Sequence, residues 1–204
     1  MASLGGAGAG SAGSADLADS ADSAAQRLAG NRLSGMAPVA GPGTRLLLLG
    51  SFPGVASLAA GRYYGHPRNQ FWPILSALWG IDLMVLPYAQ RLDELARRGL
   101  GLWDVYGACQ RKGSLDSAIQ AAVPNDLAGL IATLPQLSAI AHNGGESARA
   151  MRITAGFGIP VYRLPSSSPA NASWSFKRKL DAWRVVFAAS GLAVLAAAES
   201  TMPG

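Results

Sequence analysis

The sequence predicts an α/β fold in which a four-stranded parallel sheet is covered by helices on both faces. Two observations support this prediction. Short apolar runs alternate along the chain with longer segments of helical character, which is typical of a parallel sheet whose strands are joined by helices. The chain has 204 residues, half of them apolar, so it is long enough for one sizeable core and too short for two comfortable domains.

Each predicted strand is a short apolar run bounded by turn residues, as expected for strands buried on both faces of a sheet. The first, "RLLLLG", begins at Arg45 and ends at Gly50. The others are "GLGLWDVYG" at 99–107, "QLSAIAHNG" at 136–144 and "IPVYRLPSS" at 159–167.

The segments between these strands predict helices. "NQFWPILSALWG" at 69–80 tolerates Pro73 in a first turn, where the missing N–H is not needed. "PNDLAGLIATL" has Asn125 or Asp126 near its amino-terminal cap, and "GESARAMRITAG" is closed by Gly156. "NASWSFKRKLDAWRVVFAAS" at 171–190 predicts a long terminal helix.

The amino-terminal 40 residues differ in composition from the rest. Ala, Gly, Ser and Asp in near-repeats cannot bury enough apolar area to offset their ordering entropy, so residues 1–40 predict a disordered arm and residues 41–204 a single domain. The arm lacks the basic and apolar segments of a secretory signal. The apolar run "SGLAVLAAA" is too short to span a bilayer, so we expect a soluble protein.

Charge and cysteine content narrow the function. The formal net charge is +5, and because residues 1–34 contain three Asp and two Arg, the remainder carries about +6. A basic body favours a polyanionic partner. The single cysteine, Cys109, excludes a disulfide framework and a cysteine-ligated metal or iron–sulphur cluster, and it fits a reducing cytoplasm. We expect no cofactor and no metal.

Ligands of open parallel sheets bind beyond the carboxyl ends of the strands. This rule places four loops around one crevice: 50–69, 104–114, 143–146 and 165–171. Gly50 and Gly54 bracket Pro53 in a turn that lets a backbone approach a ligand, although the same pattern also forms ordinary turns. Tyr63 and Tyr64 offer flat faces for stacking or are packing residues.

The later part of these loops is polar. His66 precedes Pro67 and either lines the crevice or supports the loop, and Asn69 presents a neutral amide at a helix start. The run from Ser166 to Ser168 supplies hydroxyls and backbone N–H groups that suit phosphate, or it is only a turn and cap.

"GSFPG" after a strand, "GHPRNQFW" a short way on and "LPSSSPANAS" near the end together resemble the uracil-DNA glycosylase superfamily. Within it, the chain is most similar to the hypoxanthine (deoxyinosine) DNA glycosylases, and "HPxNxFW" is shared with the mismatch-specific uracil glycosylases. The resemblance covers residues 45–189. It implies a three-layer α/β/α sandwich and removal of a damaged base from DNA, with Gly50, Ser51, Phe52, Pro53 and His66 in the substrate pocket.

One departure from the family pattern is informative. Relatives place Asp or Asn third in the first motif, to position or activate water, and this chain has Phe52. Many uracil glycosylases also have a histidine before Pro-Ser, where this chain has Leu164. Both losses argue against efficient uracil excision. The resemblance makes Asn69 the catalytic candidate and places Tyr64 against the flipped base.

Asp104 and Asn143 end two predicted strands, and each has two interpretations. The Asp104 carboxylate either accepts from N1–H of hypoxanthine, repelling the adenine edge, or caps a turn or pairs with Arg111. Asn143 either contacts the base edge or accepts backbone hydrogen bonds in the turn before Gly144.

We expect the DNA backbone to meet Ser166, Ser167, Ser168, Asn171 and Lys177, within a basic region that also includes Arg68, Arg111, Arg178 and Lys179. The three lysines, Lys112, Lys177 and Lys179, lie outside the first two motif loops, so a monofunctional enzyme without strand-cutting activity is expected. We expect a monomer acting on DNA that contains a deaminated base, without a membrane.

Two other hypotheses stay open. A mismatch-type uracil or thymine glycosylase would have the same fold and a different base. A non-catalytic module that binds damaged DNA would keep the pocket and lack the chemistry; Phe52 favours it and Asn69 argues against it.

Overall fold

The computed structural model describes residues 32–196. Within this part of the chain the strands are β1 (Arg32–Ser34), β2 (Leu46–Gly50), β3 (Leu100–Asp104), β4 (Tyr106–Gln110), β5 (Gln120–Pro124), β6 (Ala139–Asn143) and β7 (Val161–Leu164). The α-helices are α1 (Val55–Ala60), α2 (Phe71–Trp79), α3 (Tyr88–Arg98), α4 (Leu127–Ala132), α5 (Met151–Ala155) and α6 (Phe176–Ala189). Short 3₁₀ helices occupy Leu83–Val85, Asp116–Ala118 and Ser147–Ala150.

The four predicted strands form one parallel sheet in the order β3-β2-β6-β7. Successive residues of the central strand β2 face opposite sides of this sheet. Leu46 and Leu48 belong to a core with residues of α2, α3 and α6, whereas Leu47 and Leu49 belong to a second core with α4 and Ala150. Helices therefore cover both faces, which confirms the predicted three-layer α/β/α arrangement.

Local sequence explains where several helices begin. The Asp126 carboxylate accepts from the Gly129 N–H at 2.9 Å and caps α4, as one of the two predicted caps requires. The Ser175 hydroxyl accepts from the Arg178 N–H at 3.3 Å and caps α6. Pro73 lies in the first turn of α2, where no backbone hydrogen bond is lost.

The sequence predicted one continuous strand for the segment "GLGLWDVYG", but the structure divides this segment between two strands. The parallel strand β3 ends at Asp104, and after Val105 the chain enters β4, the central strand of a second, three-stranded sheet in the order β1-β4-β5. The Val105 N–H donates to the Gly50 carbonyl at 2.9 Å, and the Tyr106 N–H donates to the Ser51 carbonyl at 3.0 Å. These two hydrogen bonds hold the junction against the turn that follows β2.

The predicted disordered arm extends too far along the chain. Residues 33–40 belong to the compact unit that contains the domain, and Val39 forms an antiparallel bridge with Leu102. The Met36 carbonyl also accepts from Trp103 Nε1 at 3.1 Å. Backbone hydrogen bonds and packing explain why this glycine- and alanine-containing stretch is ordered. Residues 1–31, the rest of the predicted arm, lie outside the described residues.

None of the helices in residues 32–196 has the length and apolar character needed to cross a bilayer.

Candidate active site

A cavity of about 780 Å³ lies at the carboxyl ends of the four parallel strands. All four loops predicted to surround the crevice contribute to its wall. The predicted site residues that line it are Gly50, Ser51, Phe52, Pro53, Tyr64, His66, Asn69, Asp104, Asn143, Ser166, Ser167, Ser168 and Asn171. Lys177 does not line it, and neither do the other residues of the predicted basic region, Arg68, Arg111, Arg178 and Lys179. Sequence reasoning did not single out Leu115, Asp116 and Trp174, which also line the cavity.

Gly50 and Asp104 are register partners at the ends of β2 and β3. A side-chain carbon on residue 50 would collide with Asp104 Oδ1, so only glycine allows the carboxyl group to lie against the β2 backbone. The first glycine of the "GSFPG" turn is therefore explained by a contact inside the site.

The Asp104 side chain is buried, with 5% of its surface exposed. Its Oδ2 atom has no hydrogen-bond partner among residues 32–196, and no ion pair joins it to Arg111. Burial, with the negative charge of Asp116 as the next cause, raises the pKa of Asp104 to about 7, against the smaller lowering effects of Tyr63 and Arg111. A buried carboxyl group with one unpaired oxygen, in the wall of a cavity, is a candidate for a functional role.

Asp116 lies beside the first motif although it is far from it in sequence. The Ser51 hydroxyl donates to Asp116 Oδ1 at 2.7 Å. The Asp116 carboxylate thus fixes Ser51 within the wall of the cavity. Neither composition nor spacing along the chain predicts this pair.

Phe52 occupies the third position of the first motif. Its ring is buried, and the Arg111 guanidinium lies 5.0 Å from the ring centroid. The same guanidinium donates to the Phe52 carbonyl at 3.5 Å and to the Pro53 carbonyl. Arg111 is therefore a buried support of the first motif, and the prediction that it meets DNA phosphates is wrong.

Tyr64 is held in an unusual conformation at the cavity wall. Its backbone φ is +55°, in the left-handed region that bulky residues rarely adopt. Its ring stacks on Phe71 with centroids 3.8 Å apart and an interplanar angle of 19°, and its hydroxyl accepts from Asn143 Nδ2 at 3.2 Å. Burial raises the pKa of the Tyr64 phenol, so the hydroxyl stays neutral. These contacts fix the ring plane before any ligand binds.

The Asn143 amide is already occupied by neighbours. Its Oδ1 accepts from the Ser167 N–H at 3.0 Å, and its Nδ2 donates to the Ser167 hydroxyl at 3.0 Å as well as to Tyr64. This pattern favours the second interpretation of Asn143, in which the side chain accepts a backbone hydrogen bond. The donor is the Ser167 N–H and not a group in the turn before Gly144. The Ser167 side chain is fully buried by the same pairing, so its hydroxyl is not free to meet phosphate.

Asn69 lies at the start of α2. Its Oδ1 accepts from the Phe71 N–H at 2.9 Å, and its backbone N–H donates to the His66 carbonyl at 2.9 Å. The orientation of the amide is therefore set by the helix start. His66 in turn accepts from the Arg68 N–H through Nδ1 at 3.1 Å, which supports the loop interpretation of this histidine.

The predicted basic region is only partly exposed. Lys179 is buried with 1% of its surface exposed, and its Nζ donates to Gln70 Oε1 at 2.9 Å, so it does not reach a phosphate. The Lys177 side chain is 82% exposed and pairs with Asp181 at 2.8 Å. The Arg178 guanidinium lies 4.0 Å from the ring centroid of Trp174, which lines the cavity. Lys177 and Arg178 remain candidates for DNA contact.

Comparison with known proteins agrees with this geometry. The chain is 37% identical over 153 residues to a hypoxanthine DNA glycosylase of Methanosarcina barkeri and to another of Methanosarcina acetivorans; each match covers 75% of this chain and 96% of the relative. The solution NMR structure of a candidate uracil DNA glycosylase from Methanosarcina acetivorans matches with a TM-score of 0.71 and 35% identity, over 78% of this chain and 99% of that one. The model of the uracil DNA glycosylase superfamily matches residues 38–187. The chain belongs to the uracil DNA glycosylase superfamily.

Proposed function

We propose that this chain, a DNA N-glycosylase, flips deoxyinosine out of DNA and hydrolyses the bond between its sugar and hypoxanthine. The observation that carries the proposal is that one cavity brings together an aromatic platform, a helix-fixed amide and a buried carboxyl group: Tyr64, Asn69 and Asp104. The names of the two Methanosarcina relatives support hypoxanthine as the base.

Tyr64 supplies the platform for the flipped base. Phe71 already covers one face of its ring at 3.8 Å, and Tyr64 lines the cavity. The ring is therefore pre-ordered, and a purine that enters the cavity gains stacking of roughly 1–3 kcal/mol without the entropic cost of fixing the ring. Flipping one nucleotide out of the stack costs roughly a few kcal/mol. The stacking on Tyr64 offsets part of this cost.

Asp104 selects the base. Hypoxanthine carries a hydrogen on N1, whereas adenine has an unprotonated acceptor there. The ionised Asp104 carboxylate accepts from N1–H and repels the adenine edge, leaving buried polar groups unpaired when the normal base enters. The position of Asp104 in the cavity wall supports this role, and its buried Oδ2 atom has no donor among the described residues.

Asn69 orients the attacking water as the sugar develops oxocarbenium character. A fixed amide can hold water in line with the bond without acting as a strong base. No lysine is among the described residues that line the cavity. A Schiff base with the sugar therefore has no candidate nucleophile in this wall, which supports a monofunctional enzyme. We propose that the protein acts as a monomer.

The test is release of base from purified duplexes that carry inosine, uracil or xanthine, followed by alkali and gel analysis. We expect inosine to be cleaved fastest, with strand breaks appearing only after alkali. Faster release of uracil than of hypoxanthine would favour the mismatch-type alternative. Binding to inosine duplexes without release of any base would favour the non-catalytic alternative, and breaks without alkali would contradict a monofunctional enzyme.

The basic start of α6 gives a separate prediction about DNA affinity. Replacing Lys177 and Arg178 together by alanine should weaken binding to all DNA sequences, because both side chains are exposed and Arg178 lies against the cavity residue Trp174. Each lost phosphate contact lowers the slope of log affinity against log salt by about 0.9. Fluorescence anisotropy at several salt concentrations measures the affinity and this slope. Replacing Arg152 and Arg149 by alanine is the control, since these residues lie in and just before α5 and do not line the cavity. An unchanged slope would make α6 an ordinary solvated helix.

A further inference from the structure

Arg163 is the one arginine or lysine among residues 32–196 that lines the cavity. Its side chain is exposed, and in this part of the chain no carboxylate or other hydrogen-bond acceptor pairs with its guanidinium. The carboxylates that line the same wall are Asp104 and Asp116, and neither forms an ion pair with it. A free cation at the rim of a cavity attracts an anionic ligand.

The turn after β6 leaves room for the Arg163 guanidinium. Gly144 has a backbone φ of +105°, in the region that favours glycine, and a side-chain carbon on it would lie 2.9 Å from Ser166 Cβ. A side-chain carbon on Gly145 would lie 3.4 Å from Arg163 Nη2, so the guanidinium lies against this turn. The two glycines therefore allow Arg163 and the loop that begins at Ser166 to meet at one corner of the cavity.

Arg163 and Asp104 face different sides of the parallel sheet. Leu164 packs in the core with α2, α3 and α6, so Arg163, one residue earlier, faces the side of α4 and Ala150. The Trp103 ring packs on that second side, so Asp104, one residue later, faces the first. Strands β7 and β3 are also the two outer strands, separated by three strand spacings, or roughly 14 Å. A base whose edge meets Asp104 therefore leaves Arg163 to the sugar–phosphate backbone.

The serine loop that follows β7 supplies no charge for a phosphate. The Ser167 hydroxyl is buried and accepts from Asn143 Nδ2 at 3.0 Å. The Ser166 hydroxyl accepts from the Ser168 N–H at 3.2 Å. Arg163 lies three residues before Ser166 and brings a positive charge to the same corner of the cavity.

We propose that Arg163 binds a phosphate of the damaged strand, next to the nucleotide that enters the cavity. A guanidinium presents two parallel N–H donors that match two oxygens of a phosphate, and no contact with a described residue has to be broken first. This contact holds the strand at one corner of the cavity while Tyr64 and Asp104 hold the base. The inference rests on the proposed glycosylase function and adds the residue that fixes the backbone.

The first test measures binding to a duplex that carries tetrahydrofuran, an abasic analogue with both flanking phosphates and no base. Arg163→Gln should weaken binding about tenfold, the value of a hydrogen bond to a charged group, and lower the slope of log affinity against log salt by about 0.9. Arg163→Lys keeps the charge without the paired donors and should restore part of the affinity. Arg152→Gln is the matched control, since Arg152 is exposed on α5 and does not line the cavity.

The second test identifies the phosphate. One linkage at a time beside the tetrahydrofuran is replaced by an uncharged methylphosphonate. At the linkage that Arg163 binds, the replacement should cost the unaltered protein about as much affinity as Arg163→Gln does, and the two changes together should cost no more than either alone. At the other linkages the two losses should add.

Three results would overturn the proposal. An affinity of Arg163→Gln equal to that of the unaltered protein would show that the side chain contacts no DNA. Losses that add at every linkage would reduce Arg163 to a general contribution to the positive field. A loss on inosine duplexes that is absent on tetrahydrofuran duplexes would make Arg163 a base contact. Failure of the unaltered protein to release hypoxanthine would instead contradict the proposed function, and the binding measurements do not depend on that release.

Discussion

Replacing Asn69 by alanine is expected to slow hypoxanthine release by about 10²–10⁴-fold, the usual contribution of a positioned catalytic group. The reason is that Asn69 is the amide that the start of α2 holds at the cavity wall. Folding and binding to inosine DNA should persist, because the side-chain hydrogen bond that is lost, to the Phe71 N–H, contributes only about 1 kcal/mol. Single-turnover kinetics on an inosine duplex, with binding measured in parallel, checks both parts.

The structure supplies a sharper control than alanine alone. Asn69→Asp keeps an oxygen that can accept from the Phe71 N–H, and it places a negative charge at the amino-terminal end of α2, which the helix dipole tolerates. Its melting temperature should match that of the unaltered protein, and its rate should lie above that of Asn69→Ala if the oxygen orients the water. Release by Asn69→Ala at nearly the unaltered rate would contradict the assignment, and Asp104 would then be the first candidate for positioning the water.

The second large effect concerns Asp104 and pH. We expect the rate of hypoxanthine release to rise with pH and to level off above about 7, because Asp104 must be ionised to accept from N1–H and its pKa is raised to about 7 by burial and Asp116. Below that value the ionised fraction, and with it the rate, should fall about tenfold per pH unit. Asp104→Asn should lower the rate at pH 8 by about ten- to hundredfold, the value of one hydrogen bond to a charged group, and remove this dependence.

Two comparisons separate this role from simple packing. The amide that Asp104→Asn introduces can also donate to adenine, so this substitution should reduce the preference for inosine over adenine DNA. Asp116→Asn should keep the plateau and move the midpoint to lower pH, since the charge of Asp116 is one cause of the raised pKa. A pH profile that is the same in Asp104→Asn and the unaltered protein would rule out the proposed base contact.

The raised pKa of Asp104 also makes the stability of the fold depend on pH. The folded protein holds the Asp104 proton more tightly than the unfolded chain, so the stability that this proton contributes is present at low pH and is lost as pH rises from 3.8 to about 7. The ionised form that reads the base is therefore the form that destabilises the fold. Such a loss of stability is typical of functional positions, where the residue that the chemistry requires is not the one that stabilises the fold most.

The alternating apolar runs were sufficient to predict the parallel sheet and the position of the cavity. Each run contains one strand of the parallel sheet with its own hydrophobic signal, and the carboxyl ends of such strands meet at one edge. The second sheet was missed because "DVYGACQ" continues an apolar strand pattern, and the break at Val105 depends on hydrogen bonds to Gly50 and Ser51, which are distant in sequence. Helix α3 was also unassigned, although its arginines and leucines have helical spacing.

The roles of individual polar residues were less predictable than the fold. Lys179 lies in a basic run that is typical of an exposed surface, yet the helix turns its side chain to the core, where Gln70 accepts from it. The Ser51–Asp116 and Asn143–Ser167 pairs join loops that are 65 and 24 residues apart. Sequence spacing contains no signal for such pairs, because they arise only when the strands are set side by side.

The bridge between Val39 and Leu102 has a practical consequence for handling this protein. Strand β3 is the outer strand of the parallel sheet, and its free edge is covered by residues that precede the first core strand. A shortened chain that begins at residue 41, the boundary suggested by composition, would remove this cover and the backbone partners of Leu102. An uncovered, apolar strand edge is a template for pairing with another molecule, so that chain should self-associate, whereas one beginning at residue 32 should stay dispersed.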